Sequence, residues 1–163
     1  DANAKDYIDV AMEDFLTDFN KLELAVEQKD FRAISQLIDV ESFARYYLLE
    51  EFIANADAYF TSQYFYKDGP EDKIHAGPAW DFDIALNLSN DVSPDFDYTK
   101  SLNQVEEVAA VNQYGNKSRL FAKLIEFPEF RAEIDRVFDA QMSGRKRELK
   151  DYITETENHE EIL

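Results

Sequence analysis

The chain has no cysteine, which excludes disulfides, thiol chemistry and cysteine-built zinc sites. Positive charge is also scarce: 17 Lys and Arg stand against 35 Asp and Glu, a formal net charge of −18. Phosphate backbones are bound by Lys and Arg that displace counterions, so no nucleic-acid partner is expected. The carboxylate surplus suits cation binding, basic substrates or a solvated acidic surface alone. No apolar run approaches the roughly 18 residues of a helical membrane span, so no membrane span is expected. There is no signal peptide, and the sequence opens Asp1-Ala2-Asn3 without an initiator methionine. It reads as an internal piece of a longer protein, and the missing signal says nothing about secretion.

What the chain does have is aromatic side chains, 13 Phe and 9 Tyr, within a hydrophobic fraction of 45 %. That supports a packed core in one domain spanning residues 1–163. Ile8, Met12, Phe15, Phe19, Leu22 and Val26 recur at steps of three and four, the stripe of an amphipathic helix. Asp30 is placed to cap a short helix burying Phe31, Ile34, Leu37 and Ile38. Asp39 caps a third, with Val40, Phe43, Ala44, Tyr47, Leu48 and Phe52 on a wide apolar face that runs out near Ala54.

Aromatic Gln63-Tyr64-Phe65-Tyr66 suits a strand, and Asp68-Gly69-Pro70 a turn. Lys73 to Trp80 reads as the return strand, bent or at an edge because Gly77-Pro78 interrupts it. Residues 87–117 are polar and read as a long loop with one short helix, Gln104 to Val111. Leu120, Phe121, Leu124 and Ile125 form another stripe. Pro128 suits the first turn of a helix carrying Phe130, Ile134, Val137 and Phe138. Ser143 is placed to cap a last helix with Leu149, Tyr152 and Ile153 inward, before an acidic, frayed tail at 154–163. The fold class is mainly α with one small β-hairpin.

The hairpin organises the chemistry. Asn55 and Asp57 follow the most apolar helix, and Asp81-Phe82-Asp83 follows the return strand. Folding back over the turn would bring these acidic ends together, an arrangement able to hold a divalent cation and place a phosphate. If the strand continued, alternation would put Asp81 and Asp83 on one side. Each residue also has a plainer reading. Asp57 could close the helix by a local side-chain bond, and Asn55 could be a left-handed C-terminal cap. His75 reads as the partner of a neighbouring carboxylate, and Trp80 as core. Asp91, Asp95 and Asp97 could form a calcium loop, but lack the Gly and Glu of an EF-hand.

The run Asp39-Val40-Glu41-Ser42-Phe43-Ala44-Arg45-Tyr46-Tyr47-Leu48-Leu49, then Asn55-x-Asp57, Tyr64-Phe65-Tyr66-Lys67-Asp68 and Gly77-Pro78-Ala79-Trp80-Asp81-Phe82-Asp83, resembles the CotH kinase family of spore-coat-protein-H-like atypical protein kinases. The close resemblance covers about residues 37–88 and continues more loosely through Ser118-Arg119-Leu120-Phe121 and Pro128-Glu129-Phe130-Arg131. It implies a kinase-like fold, here the C-terminal lobe. It also implies ATP and Mg²⁺ or Mn²⁺ as cofactors, and phosphoryl transfer to Ser or Thr of a protein substrate. Asp57 would be the catalytic residue that orients the acceptor hydroxyl or takes its proton. Asp81, with Asp83 assisting, would hold the metal. Secretion or display on a bacterial surface or spore coat follows from the resemblance alone.

Two departures stand out. Many relatives carry Asn, a natural second metal ligand, five residues after the first Asp; here that position is Ser62. There is also no Gly-rich phosphate loop and no strand Lys paired with a helix Glu. In the family that work falls to a preceding N-terminal lobe, so this chain is expected to be inactive alone. The alternative is a non-catalytic surface or scaffold module whose acidic loop binds Ca²⁺. An Asp-nucleophile phosphatase built on Asp81 and Asp83 would need alternating strands and helices that the pattern lacks.

Overall fold

The computed structural model describes residues 2–55, 58–59, 62–83, 85 and 120–143. In chain order these form α1 (Ala2–Glu27), α2 (Phe31–Leu37), α3 (Val40–Ile53), β1 (Phe65–Tyr66), β2 (His75–Ala76), α4 (Leu120–Leu124) and a helix over 128–143, α5. The architecture is mainly helical with one two-stranded antiparallel sheet.

Short polar side chains set the helix boundaries. The Asp30 carboxylate accepts from Ala33 N–H at 3.0 Å, and Asp39 accepts from Ser42 N–H at 2.7 Å. Each satisfies a donor that a first helical turn leaves open. Proline opens α5 as the sequence predicts, because its missing N–H costs nothing in a first turn. Ser143 is the last described residue of α5, and its hydroxyl donates to the Ala140 carbonyl at 3.3 Å; the helix it is expected to cap lies outside the described residues. The long loop with its short helix at Gln104 to Val111, the helix of Leu149, Tyr152 and Ile153, and the tail lie outside the described residues.

Two apolar stripes are narrower than their sequences suggest. On α1, Leu22 and Val26 are buried, whereas Ile8 and Met12 are exposed. The hairpin and α2 cover only the later turns, where Phe19 meets Phe65 at 5.5 Å. On α3 the buried residues are Phe43, Ala44, Tyr46, Tyr47 and Glu50. Phe52 is 85 % exposed because it lies half a helical turn round from Phe43.

Phe121 is the centre of the core. It is fully buried, with ring centroids of Phe43 and Tyr46 at 5.5 Å, Tyr59 at 5.2 Å, Tyr47 at 6.3 Å and Phe130 at 6.5 Å. These rings come from α3, the segment after it, and α5, so one α4 side chain joins elements distant in sequence. Offset and tilted rings at such distances add to the gain from burial itself.

The hairpin is shorter than expected, with Phe65 opposite Ala76 and Tyr66 opposite His75. Gly77 ends it: its φ of 120 turns the backbone away, although its N–H still reaches the Tyr64 carbonyl at 2.9 Å. Ile74 docks the return strand on the α2–α3 junction, donating to the Leu37 carbonyl and accepting from Asp39 N–H, both at 2.9 Å. Ser42 Oγ accepts from Ala76 N–H at 3.2 Å while donating to the Asp39 carbonyl at 2.8 Å.

Lys67 clamps the other edge of the hairpin to α1. Its side chain is 5 % exposed, and Nζ donates to Asp14 Oδ2 at 2.9 Å, Asp18 Oδ2 at 2.6 Å and the Pro70 carbonyl at 2.8 Å. Those bonds use all three ammonium donors. Burial alone would lower the Lys67 pKa, but the bonds to Asp18 and Asp14 outweigh it and raise the value. Hydrogen bonds from Lys21 and then Lys67 lower that of Asp18.

Three outcomes follow from these contacts. Phe121→Ala should cost about 3–5 kcal/mol in a urea titration, as for a large aromatic removed from a closed core. Lys67→Met should cost about 1–3 kcal/mol by the same measurement, because it strands two carboxylates that are only partly solvated. The stabilisation due to Asp18 is present above its ordinary value of 3.8 and lost as pH falls through its lower folded value. That due to Lys67 is present below 10.5 and lost as pH rises through its higher folded value. Wild-type unfolding free energy should therefore fall more steeply below pH 3.8 than that of Lys67→Met, and an equal slope would contradict the assignment.

Candidate active site

The site begins where α3 stops. Ala54 adopts the left-handed conformation at φ 49 and ψ 50. Its N–H bonds the Glu51 carbonyl at 3.2 Å, and Asn55 N–H bonds the Glu50 carbonyl at 3.1 Å. This is a Schellman ending built on a non-glycine residue, and it fixes the direction in which the chain leaves the helix. The left-handed residue is thus Ala54, so Asn55 is not the left-handed cap. Asn55 instead sits fully buried, one residue further on.

The following segment is pinned to α3 by tyrosine hydroxyls. Tyr46 OH donates to the Ala58 carbonyl at 3.0 Å and lies 3.3 Å from the Ser62 carbonyl. Tyr59 OH donates to Glu51 Oε1 at 3.2 Å and lies 3.5 Å from the Tyr47 carbonyl. Burial, with the Glu51 carboxylate beside it, raises the Tyr59 pKa well above the usual tyrosine value, so the hydroxyl stays a donor. Sequence reasoning missed Tyr46. The available signal was its position three residues after Phe43, on the buried stripe.

The return arm of the hairpin brings Asp81 to this segment. Ser62 Oγ donates to Asp81 Oδ2 at 3.2 Å, and Asn55 Nδ2 donates to the Asp81 carbonyl at 3.3 Å. Asp81 has φ 63, a left-handed conformation that costs a non-glycine residue about 1–2 kcal/mol, less for Asp than for most. Backbone strain of this kind collects at functional sites. Asn55 Oδ1 is buried with no hydrogen-bond partner among the described residues. Leaving such an acceptor unsatisfied costs about 1–3 kcal/mol.

Three sequence expectations change here. Asp81 and Asp83 are not aligned by strand alternation, because the chain turns between them and Ala85 N–H bonds the Phe82 carbonyl at 3.1 Å. Asp81 is half-buried against Ser62, and Asp83 is exposed. Trp80 is not core: it is 46 % exposed, edge-on to Tyr64 at 5.3 Å. His75 stacks on the Tyr66 ring at 5.1 Å rather than pairing with a carboxylate among the described residues. The ring stack follows from the hairpin register, which sets the two residues opposite each other. Asp57, and with it Asp91, Asp95 and Asp97, lies outside the described residues.

The donors gathered here are a carboxylate, a hydroxyl and an amide oxygen with no partner among the described residues, all hard oxygen ligands of the kind Mg²⁺ and Mn²⁺ take. Among the described residues no three His, Cys, Asp or Glu side chains converge on one point. Mg²⁺ typically takes one or two carboxylates and completes its shell with water and phosphate oxygens. Asp81 is the residue that would hold it.

No curated protein and no solved structure matches the chain significantly. The sequence model of the family described as CotH kinase protein matches residues 2–160. The match extends well beyond the motifs around the hairpin, taking in α1, which carries no recognisable motif of its own, and nearly everything after it. On that basis the chain belongs to the CotH kinase family.

Proposed function

We propose that this chain is the acceptor- and metal-binding half of an atypical protein kinase that transfers phosphate from ATP to a Ser or Thr hydroxyl of a protein substrate. The observation that carries the reading is Asp81: its carboxylate is held by Ser62, and its strained backbone by Asn55, two residues before Asp57 in sequence. A carboxylate fixed this way loses little orientational freedom when a cation binds, which is the kind of preorganisation phosphoryl transfer rewards. The bound Mg²⁺ or Mn²⁺ would neutralise charge on the phosphates. Asp57 orients the acceptor hydroxyl and takes its proton, and the exposed Asp83 assists Asp81 at the solvent side. The nucleotide is gripped by an N-terminal lobe of the same parent protein, so this chain alone does not catalyse transfer. Its substrates are proteins of the bacterial exterior, on the cell surface or in the spore coat.

A second reading is a non-catalytic surface or scaffold module that binds Ca²⁺. The observation favouring it is Ser62, whose hydroxyl is directed at Asp81 in the position where many relatives place an Asn ligand. Phosphate transfer by the intact parent separates the two. On the kinase reading, Asp57→Ala and Asp81→Ala each lower transfer to protein by at least about 100-fold. The melting temperature should shift by no more than about 4 °C. Transfer retained in both variants, or an intact wild-type parent that binds Ca²⁺ but never labels a protein, would reject it.

A further inference from the structure

Asn55 has more polar capacity than its position in the fold requires. Its backbone already completes the α3 ending, donating to the Glu50 carbonyl at 3.1 Å and accepting from Ala58 N–H at 3.2 Å. The residue at this point of a Schellman ending commonly makes an apolar contact, so a buried leucine would meet the needs of the helix. Here a fully buried amide takes the place. Its Nδ2 must face the Asp81 carbonyl, because only the nitrogen can donate to that oxygen at 3.3 Å, and Oδ1 is left with no partner among the described residues. One half of the side chain thus holds Asp81, and the other half is an acceptor in reserve.

We propose that Asn55 is the positioning residue of the site: it locks Asp81 in its left-handed conformation, and so sets the direction of the carboxylate that receives the divalent cation. The inference rests on the kinase reading for the cation, but the positioning itself is a property of the chain without it. Asp81 has two constraints of different kind. Ser62 acts on the carboxylate, and Asn55 acts on the backbone that carries it. Removing the backbone constraint lets residue 81 relax toward the common φ region, which swings its side chain away from Ser62. Oδ1 then supplies an acceptor for a water in the cation's shell, the usual task of a partner one step removed from a metal.

The chain carries its own reporter, since its one tryptophan, Trp80, immediately precedes Asp81 and is half-exposed. The experiment follows Trp80 emission in the 163-residue chain, first without metal and then during titration with Mn²⁺. Wild type is compared with Asn55→Leu, Asn55→Asp and Asp81→Ala, with folding checked by far-UV circular dichroism. Asn55→Leu keeps the branched side-chain skeleton, with bulkier methyl ends, and removes the donor. Asn55→Asp keeps the shape and replaces the donor with an acceptor, and it serves if the leucine variant does not fold. We expect a folded Asn55 variant to shift the metal-free Trp80 emission and to bind Mn²⁺ about 10–100-fold more weakly. Unchanged metal-free emission in a folded Asn55 variant overturns the proposal, as does wild-type Mn²⁺ affinity in that variant. A wild-type chain whose Mn²⁺ response is absent, or survives in Asp81→Ala, counts against the metal reading instead. The metal-free comparison then decides the role of Asn55 by itself.

Discussion

The aromatic packing around Phe121 is the contact on which the rest of this structure depends. Without it α3, the segment at Ala58 and Tyr59, α4 and α5 would have no common surface, because they meet chiefly through rings that touch this one. Flat, stiff side chains suit the task, since they bury much area while losing little rotational freedom. Tyrosine adds a second use. Tyr46 and Tyr59 place their rings in the cluster and their hydroxyls on the backbone and carboxylate just outside it. The core therefore does more than hold helices together. It fixes the stretch of chain that carries Asn55 and Ser62.

Against that fixed stretch the hairpin acts as a lever with two anchors. Lys67 ties one edge to α1, and Ile74 and Ala76 tie the other to the start of α3. Beyond Gly77 the chain is no longer a strand, and Asp81 arrives in a conformation it would not choose alone. The strain and the buried Asn55 oxygen, which has no partner among the described residues, lie in one place. A fold optimised only for stability would have neither. Their coincidence at a carboxylate, in a chain of the CotH kinase family, is why this end of the hairpin is proposed as the site.

Much of the local structure was legible in the order of residues. Asp30 and Asp39 were recognisable as caps because an Asp followed by an apolar helical stripe has a single cheap use for its oxygen. Pro128 marked the start of α5 for a comparable reason. Asn55, Ser62 and Asp81 stood out through the family resemblance, and the structure brings all three into contact. One group of errors came where hydrophobicity was read as burial. Phe52, Trp80, Ile8 and Met12 are apolar but exposed, and nothing within a single helix or strand says which face its neighbours will cover.

The division has a physical basis. Helix boundaries, the turn at Gly69 and the acidic character of the chain depend on residues within a few positions of one another, so the sequence by itself determined them. Only the tertiary structure decided that Asp81 would leave the strand, turn left-handed and part company with Asp83. That outcome depends on Ser62 and Asn55, which lie 19 and 26 residues earlier and reach Asp81 only because the hairpin folds back. Contacts between distant residues arise from packing and from the return of the chain, and no local pattern encodes their geometry.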